Sequence, residues 1–244
     1  MSSTTVQLGL GLIGIGKPWG HVPHPIPSES DAQALLEFAF ELGVRYFDTA
    51  PSYGDGVSEE RLGRFLKQLT ARERASVTAA TKFGEHWNAA EGAPYADHSF
   101  DALRHSLDRS FARLGAIEVL QLHKTTPAAL ASSGVARAWE YARGLGIERL
   151  GPSVSDVESA RAADADPRLN VMQFPYNREN RQFAPYLKPG RWIAVNRPFA
   201  MGSAVRRDAF RFILEREFTG VILTGTTSRQ HLQENWEAFQ ESIA

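Results

Sequence analysis

The sequence has no cysteine, which removes disulfides and every zinc or iron–sulfur site built on thiolates. It has no surplus of basic charge. Lys+Arg total 27 and Asp+Glu total 28, a net charge of −1, whereas a nucleic-acid binder normally carries a basic excess. No apolar run approaches the roughly 18 residues of a membrane span; Leu8 to Gly16 is apolar but short and glycine-rich. The start, Met1-Ser2-Ser3-Thr4-Thr5, lacks the basic residues of a secretory leader. A soluble, cytoplasmic protein with neither nucleic acid nor membrane as partner is therefore expected. Lysine itself is scarce, five residues against 22 arginines.

What the chain does have is apolar content and alternation. Its 244 residues are 43% apolar, enough for a sizeable core. Short β-branched runs near 8–13, 44–48, 76–82, 117–122, 147–153, 170–174, 191–196 and 219–223 read as strands. Helical periodicity lies between them near 29–42, 58–69, 99–114, 134–145, 155–163, 203–217 and 228–242, while the sixth crossover shrinks to a turn near 180–187. Ser28 or Ser30, Ser58, Ser99, Ser155 and Ser228 stand as N-caps, and Gly43, Gly115 and Gly146 follow helix ends. Strand–helix alternation implies parallel strands with crossover helices. Eight strands in one chain of this length predict a single (β/α)8 TIM barrel over residues 1–244. A doubly wound open sheet is disfavoured, because Gly9-Leu10-Gly11-Leu12-Ile13-Gly14 runs into Pro18 and a Pro/His-rich loop instead of a helix.

In such a barrel the chemistry sits at the C-terminal strand ends. Those ends carry Asp48, Lys82 and His123, with Gln173 near a fourth. Each alone is more often a structural ion pair or a satisfied core residue than a catalyst. At successive strand ends they converge on one mouth. Tyr53 lies in the loop leaving the Asp48 strand. A free phenol, with a pKa near 10, donates protons poorly at neutral pH, and a neighbouring ammonium is expected to lower that value. An imidazole beside it can polarise a carbonyl oxygen. The set suits a carbonyl/alcohol couple and lacks only a hydride source, which implies a nicotinamide.

At these residues the sequence resembles the aldo-keto reductase family. The matching stretches are Phe47-Asp48-Thr49-Ala50-Pro51-Ser52-Tyr53-Gly54 continuing through Glu59-Glu60-Arg61-Leu62-Gly63, then Thr81-Lys82-Phe83-Gly84, then Leu120-Gln121-Leu122-His123. The likeness runs from about Leu8 to the final helix. It implies that Tyr53 is the general acid in reduction, that Lys82 paired with Asp48 tunes it, and that His123 orients the carbonyl. It further implies that Ser153 and Gln173 hold the nicotinamide carboxamide, that Arg197 contacts the pyrophosphate, and that Gly225, Thr226, Thr227, Arg229, His231 and Asn235 grip the adenosine end. NADPH is the implied cofactor, with NADH as the alternative. Trp19 and Trp87, on mouth loops, are candidate substrate-pocket walls.

The sequence also departs from the family pattern. Val154 stands where many members have Asn, and His231 where an Arg often binds a 2′-phosphate. Pro198 to Ser203 replaces a long cofactor-covering loop, and the chain stops at Ala244 without a C-terminal loop. An open pocket, weaker dinucleotide binding and a broad or unusual substrate preference are expected. The reading is an NAD(P)-dependent reductase of aldehydes and ketones acting on small carbonyl substrates, as a monomer or weak oligomer. Its alternatives are a non-catalytic dinucleotide sensor and a barrel enzyme for a phosphorylated substrate. His21 and His24 are three apart in a Pro-rich loop and lack further ligands, so no metal site is expected.

Overall fold

The computed structural model describes residues 6–19, 25–88, 90–202 and 204–244; His21 and His24 lie outside them. Strand β1 (Val6–Gly11) leads through a single turn, α1 (Ile13–Gly16), to α2 (Glu29–Leu42) and β2 (Tyr46–Asp48). Helices α3 (Val57–Gln68) and α4 (Ala71–Ala75) return the chain to β3 (Thr78–Phe83). A hairpin follows, β4 (Glu85–Asn88) and β5 (Ala93–Ala96), then α5 (Phe100–Leu114) and β6 (Val119–Leu122). Next come α6 (Pro127–Leu130), α7 (Ser133–Gly144), β7 (Arg149–Pro152), α8 (Val157–Asp164) and β8 (Val171–Pro175). The chain closes with β9 (Trp192–Asn196), α9 (Arg206–Leu214), β10 (Thr219–Gly225) and α10 (Arg229–Ile243).

Eight of the strands form one parallel sheet in the order β7-β6-β3-β2-β1-β10-β9-β8. A parallel bridge between Ser153 and Gln173 joins its two ends, so the expected barrel is what forms. Inside it, Tyr46, Ala80, Val119, Val171, Ala194, Val221 and Leu223 make the packed centre. Gly9 leaves room for them, since a Cβ there would stand 2.6 Å from Val221 Cγ2. The helices cover the outside with apolar stripes. In α2 the buried residues are Ala32, Leu35, Leu36 and Ala39, the three-to-four spacing of one helical face.

The caps explain where several helices begin and end. The Ser28 hydroxyl accepts the amide of Asp31, and Gly43 closes the same helix at φ 107°, a conformation that costs glycine little. Ser99 and Ser228 cap α5 and α10 as expected. Two expectations fail. Helix α3 starts at Val57 behind Gly56, and the Ser58 hydroxyl is buried and donates to the Leu12 carbonyl. Helix α8 is capped by Asp156 instead of Ser155. The sixth crossover is reduced to a 3-10 turn at Ala184–Tyr186. The β4–β5 hairpin was not expected. Among the described residues no helix is long and apolar enough to cross a membrane.

Candidate active site

Tyr53 is placed by a close backbone approach. Its loop leaves β2 and runs against the turn of α1, with Gly16 and Gly54 back to back. A Cβ on Gly54 would stand 2.0 Å from the Gly16 carbonyl oxygen, and Gly54 also adopts φ +72°. The first turns of α3 lock the two loops. Arg61 donates to the Ile15 and Pro27 carbonyls. Glu59, fully buried, accepts from Thr81 Oγ1 at 2.6 Å and from Arg113 at 2.9 Å. Glu59 and Arg61, in the first turns of α3, are thus internal ties, while Glu60 between them is exposed.

The floor of the site is a buried ion pair. Lys82 Nζ donates to Asp48 Oδ2 at 2.7 Å and to the Thr49 carbonyl at 2.8 Å, with the two side chains only 2% and 5% exposed. Burial disfavours the ammonium, but Asp48 and the Tyr53 hydroxyl outweigh it and raise the Lys82 pKa. Its Nζ stands 5.2 Å from the centroid of the Tyr53 ring. The Tyr53 pKa moves opposite to expectation. Burial raises it, and the opposing pull of Lys82 does not overcome that. With the protein's own groups alone, the phenol is thus a weaker acid than a free tyrosine, and Lys82 is the group that pulls the other way.

His123 meets the Tyr53 ring edge-on, centroids 6.3 Å apart at 81°. Its Nδ1 lies 3.0 Å from Glu85 Oε2, an ion pair when the imidazole is protonated. Burial pushes the imidazole below its ordinary pKa, against the carboxylate. Glu85 also accepts from Ser52 Oγ at 2.5 Å and pairs with Lys124 at 3.1 Å. Burial alone would raise its pKa; those partners hold the carboxyl well below the usual range.

These groups open into a cavity of about 970 Å³. Asp48, Tyr53, Lys82 and His123 line it, as do Ser153, Gln173, Arg197, Gly225, Thr226, Thr227, His231 and Trp19. Three sequence candidates fall elsewhere. Arg229 turns outward, its guanidinium 5.9 Å from the Phe38 ring on α2. Asn235 is buried and accepts from Arg206 Nε at 2.8 Å, tying α9 to α10. Trp87, on β4, lines a separate cavity of about 140 Å³. Glu85 is the wall shared by both cavities.

A family model described as "Aldo/keto reductase family" matches residues 7–189. The chain belongs to the aldo/keto reductase family. Over 182 residues it is 30% identical to the aldo-keto reductase yakc of Schizosaccharomyces pombe, whose name specifies NADP(+), covering 72% of this chain and 50% of that one. It is 38% identical over 119 residues to the L-galactose dehydrogenase of Arabidopsis thaliana, covering 48% and 35%. The chain thus spans about half, or less, of the length of these curated relatives. A crystal structure of a Pseudomonas aeruginosa protein, provisionally assigned as an aldo-keto reductase, superposes with TM-score 0.82 at 28% identity, covering 97% of this chain and 90% of that one.

Within this family member the connection from β9 to α9 is short. Asn196 and Arg206 are joined through a 3-10 turn at Ala200–Gly202, with Val205 69% exposed. Among the cavity residues that sequence reasoning missed are Glu85 and Lys17, beside Lys124, Asn196 and Thr224. Glu85 follows the Gly84 turn (φ +96°), beyond the point where strand alternation predicts direction. Lys17 lines the cavity from the β1 loop; only its position beside Trp19 hinted at the mouth.

Proposed function

We propose that the protein is an NAD(P)H-dependent reductase of aldehydes and ketones, able to run the corresponding alcohol or sugar oxidation. The observation that carries this is the Tyr53 phenol set against the Lys82–Asp48 pair and His123 in one cavity. Tyr53 gives its proton to the carbonyl oxygen. Lys82, kept charged by Asp48, stabilises the phenolate left behind. His123 is a second polar neighbour for that oxygen and fixes the carbonyl's direction. Family membership and the names of the relatives support the same reaction class.

The cavity suits a dinucleotide. Gln173 Oε1, Asn196 Oδ1 and Thr224 Oγ1 are buried polar atoms without partners, all on residues that line it, and such atoms are normally satisfied. Ser153 and Gln173 would hold the carboxamide. Arg197 and the segment Gly225–Thr227, with the unpaired first-turn amides of α10, would hold the pyrophosphate, and His231 the adenosine end. When bound, the cofactor supplies the hydride that no side chain provides. NADPH is the favoured form, with NADH second. Trp19 is a wall for the substrate.

Titration with NADPH and with NADH, followed by tryptophan fluorescence, tests the cofactor reading; saturation by neither overturns it. Tyr53→Phe is expected to lower turnover by about 10²–10⁴-fold, the usual weight of a proton donor, while NADPH still binds. Equal rates in variant and wild type would refute the assigned role.

A further inference from the structure

We infer that the site prefers carbonyl substrates carrying a negative charge, a carboxylate or a phosphate, and that Lys17 recognises it. This rests on the reductase reading above and narrows its substrate class. The charges that line the cavity are Lys17, Asp48, Lys82, Glu85, Lys124 and Arg197, beside the histidines His123 and His231. Asp48 is taken by Lys82 at 2.7 Å and Glu85 by Lys124 at 3.1 Å. Both lining carboxylates are therefore used. Lys17 and Arg197 have no carboxylate partner among the described residues, and the residues outside them include no Asp or Glu. The cavity thus holds two uncompensated cations.

They enter the mouth from the two strands that flank β10, Arg197 from β9 and Lys17 from the β1 side. Arg197 follows β9, next to the β10 end where Gly225 to Thr227 lie, the side suited to a dinucleotide pyrophosphate. Lys17 follows α1 after β1, and its ammonium lies 5.8 Å from the centroid of the Tyr53 ring. That distance is at the limit of a cation–π contact and holds the ammonium weakly. Lys17 is half-buried beside the proton donor, and no carboxylate among the described residues answers its charge. A substrate whose carbonyl oxygen meets the Tyr53 hydroxyl, and whose anion lies a few bonds away, would answer it. A charge-assisted contact of this kind discriminates strongly between an anion and its neutral counterpart.

The test compares succinic semialdehyde with butanal, the same chain length with and without a carboxylate. Binding is read from tryptophan fluorescence, with Trp19 two residues from Lys17, and turnover is read as the ratio of kcat/KM. The wild type is expected to favour the acid by about tenfold or more, the weight of one hydrogen bond to a charged group. The preference should disappear in Lys17→Met, survive in Lys17→Arg, and shrink as ionic strength rises from about 0.05 to about 0.5 M. Absence of the preference in the wild type, or its survival in Lys17→Met, overturns the inference. So does a Lys17→Met variant that loses NADPH affinity but keeps the aldehyde preference, because the ammonium would then belong to the cofactor pyrophosphate. If the acid binds through Lys17 but neither aldehyde is reduced, the inference stands and the reductase reading falls.

Discussion

Asp48→Asn is expected to be costly to stability, apart from any effect on turnover. Lys82 is among the most deeply buried large side chains of the protein, and its ammonium has two oxygen partners, Asp48 Oδ2 and the Thr49 carbonyl. Replacing the carboxylate by an amide leaves a buried cation with dipoles alone. Breaking a buried pair from one side costs about 3–5 kcal/mol. For a chain of this size each kcal/mol moves Tm by about 2–4 °C, so a loss of roughly 6–20 °C is expected. The double variant Asp48→Leu with Lys82→Met removes both charges and fills similar volume, and should recover most of that loss. Urea unfolding at neutral pH, read by tryptophan fluorescence, measures all three proteins whether or not they are active. Two results would refute the reasoning. A single variant within about 1 kcal/mol of wild type would mean a solvent-screened pair, as at a surface. A double variant less stable than the single one would mean that the pair acts by holding the Thr49 backbone and not through its charge.

Further outcomes follow from the same geometry. His123 and Glu85 both have pKa values below their ordinary 6.5 and 4.5, so the unfolded chain takes up their protons first. Tm should therefore fall as pH drops below about 6.5, and more steeply below about 4.5; a Tm flat from pH 7 to 4 contradicts this. Glu85→Gln removes the carboxylate that supports the His123 proton, so the His123 NMR titration should move to lower pH, and a move upward would exclude that role. Gly54→Ala forces a side chain into φ +72° and onto the Gly16 carbonyl. It is expected to cut kcat/KM more than tenfold by displacing Tyr53, a 1 Å misplacement being worth about 10²-fold; a fully active variant would show that the loop re-forms around the extra methyl.

The barrel and its tetrad were legible because both rest on local rules. Strand alternation places Asp48 with Tyr46 and His123 with Gln121, and parallel crossovers put those ends at one mouth. What escaped depends on tertiary placement. Glu59 and Arg61 look like surface charges on a helix, yet both are buried by the loops they hold. Asn235 and Arg229 share a helix with His231, but only His231 lines the cavity; helical phase relative to a neighbour is not written in the helix. The β4–β5 hairpin contains Pro94 and little apolar alternation, so nothing in its sequence distinguishes it from a loop. The Tyr53 pKa was misjudged in direction because burial outweighs the visible ammonium.

The closure of the barrel has a mechanical consequence. Every other junction between neighbouring strands shares three to six register pairs, but β7 and β8 meet through a single one, Ser153 with Gln173, flanked by the bonds from Val154 N to the Gln173 carbonyl and from Asn170 N to the Leu150 carbonyl. The hoop is fastened by a clasp, and both halves of that clasp face the cavity. A ligand gripped by Ser153 and Gln173 together would span the gap like a pin through a buckle. The empty hoop should then spring first at β7–β8, its amides there exchanging ahead of those on the opposite wall, and a pinned hoop should yield everywhere at once.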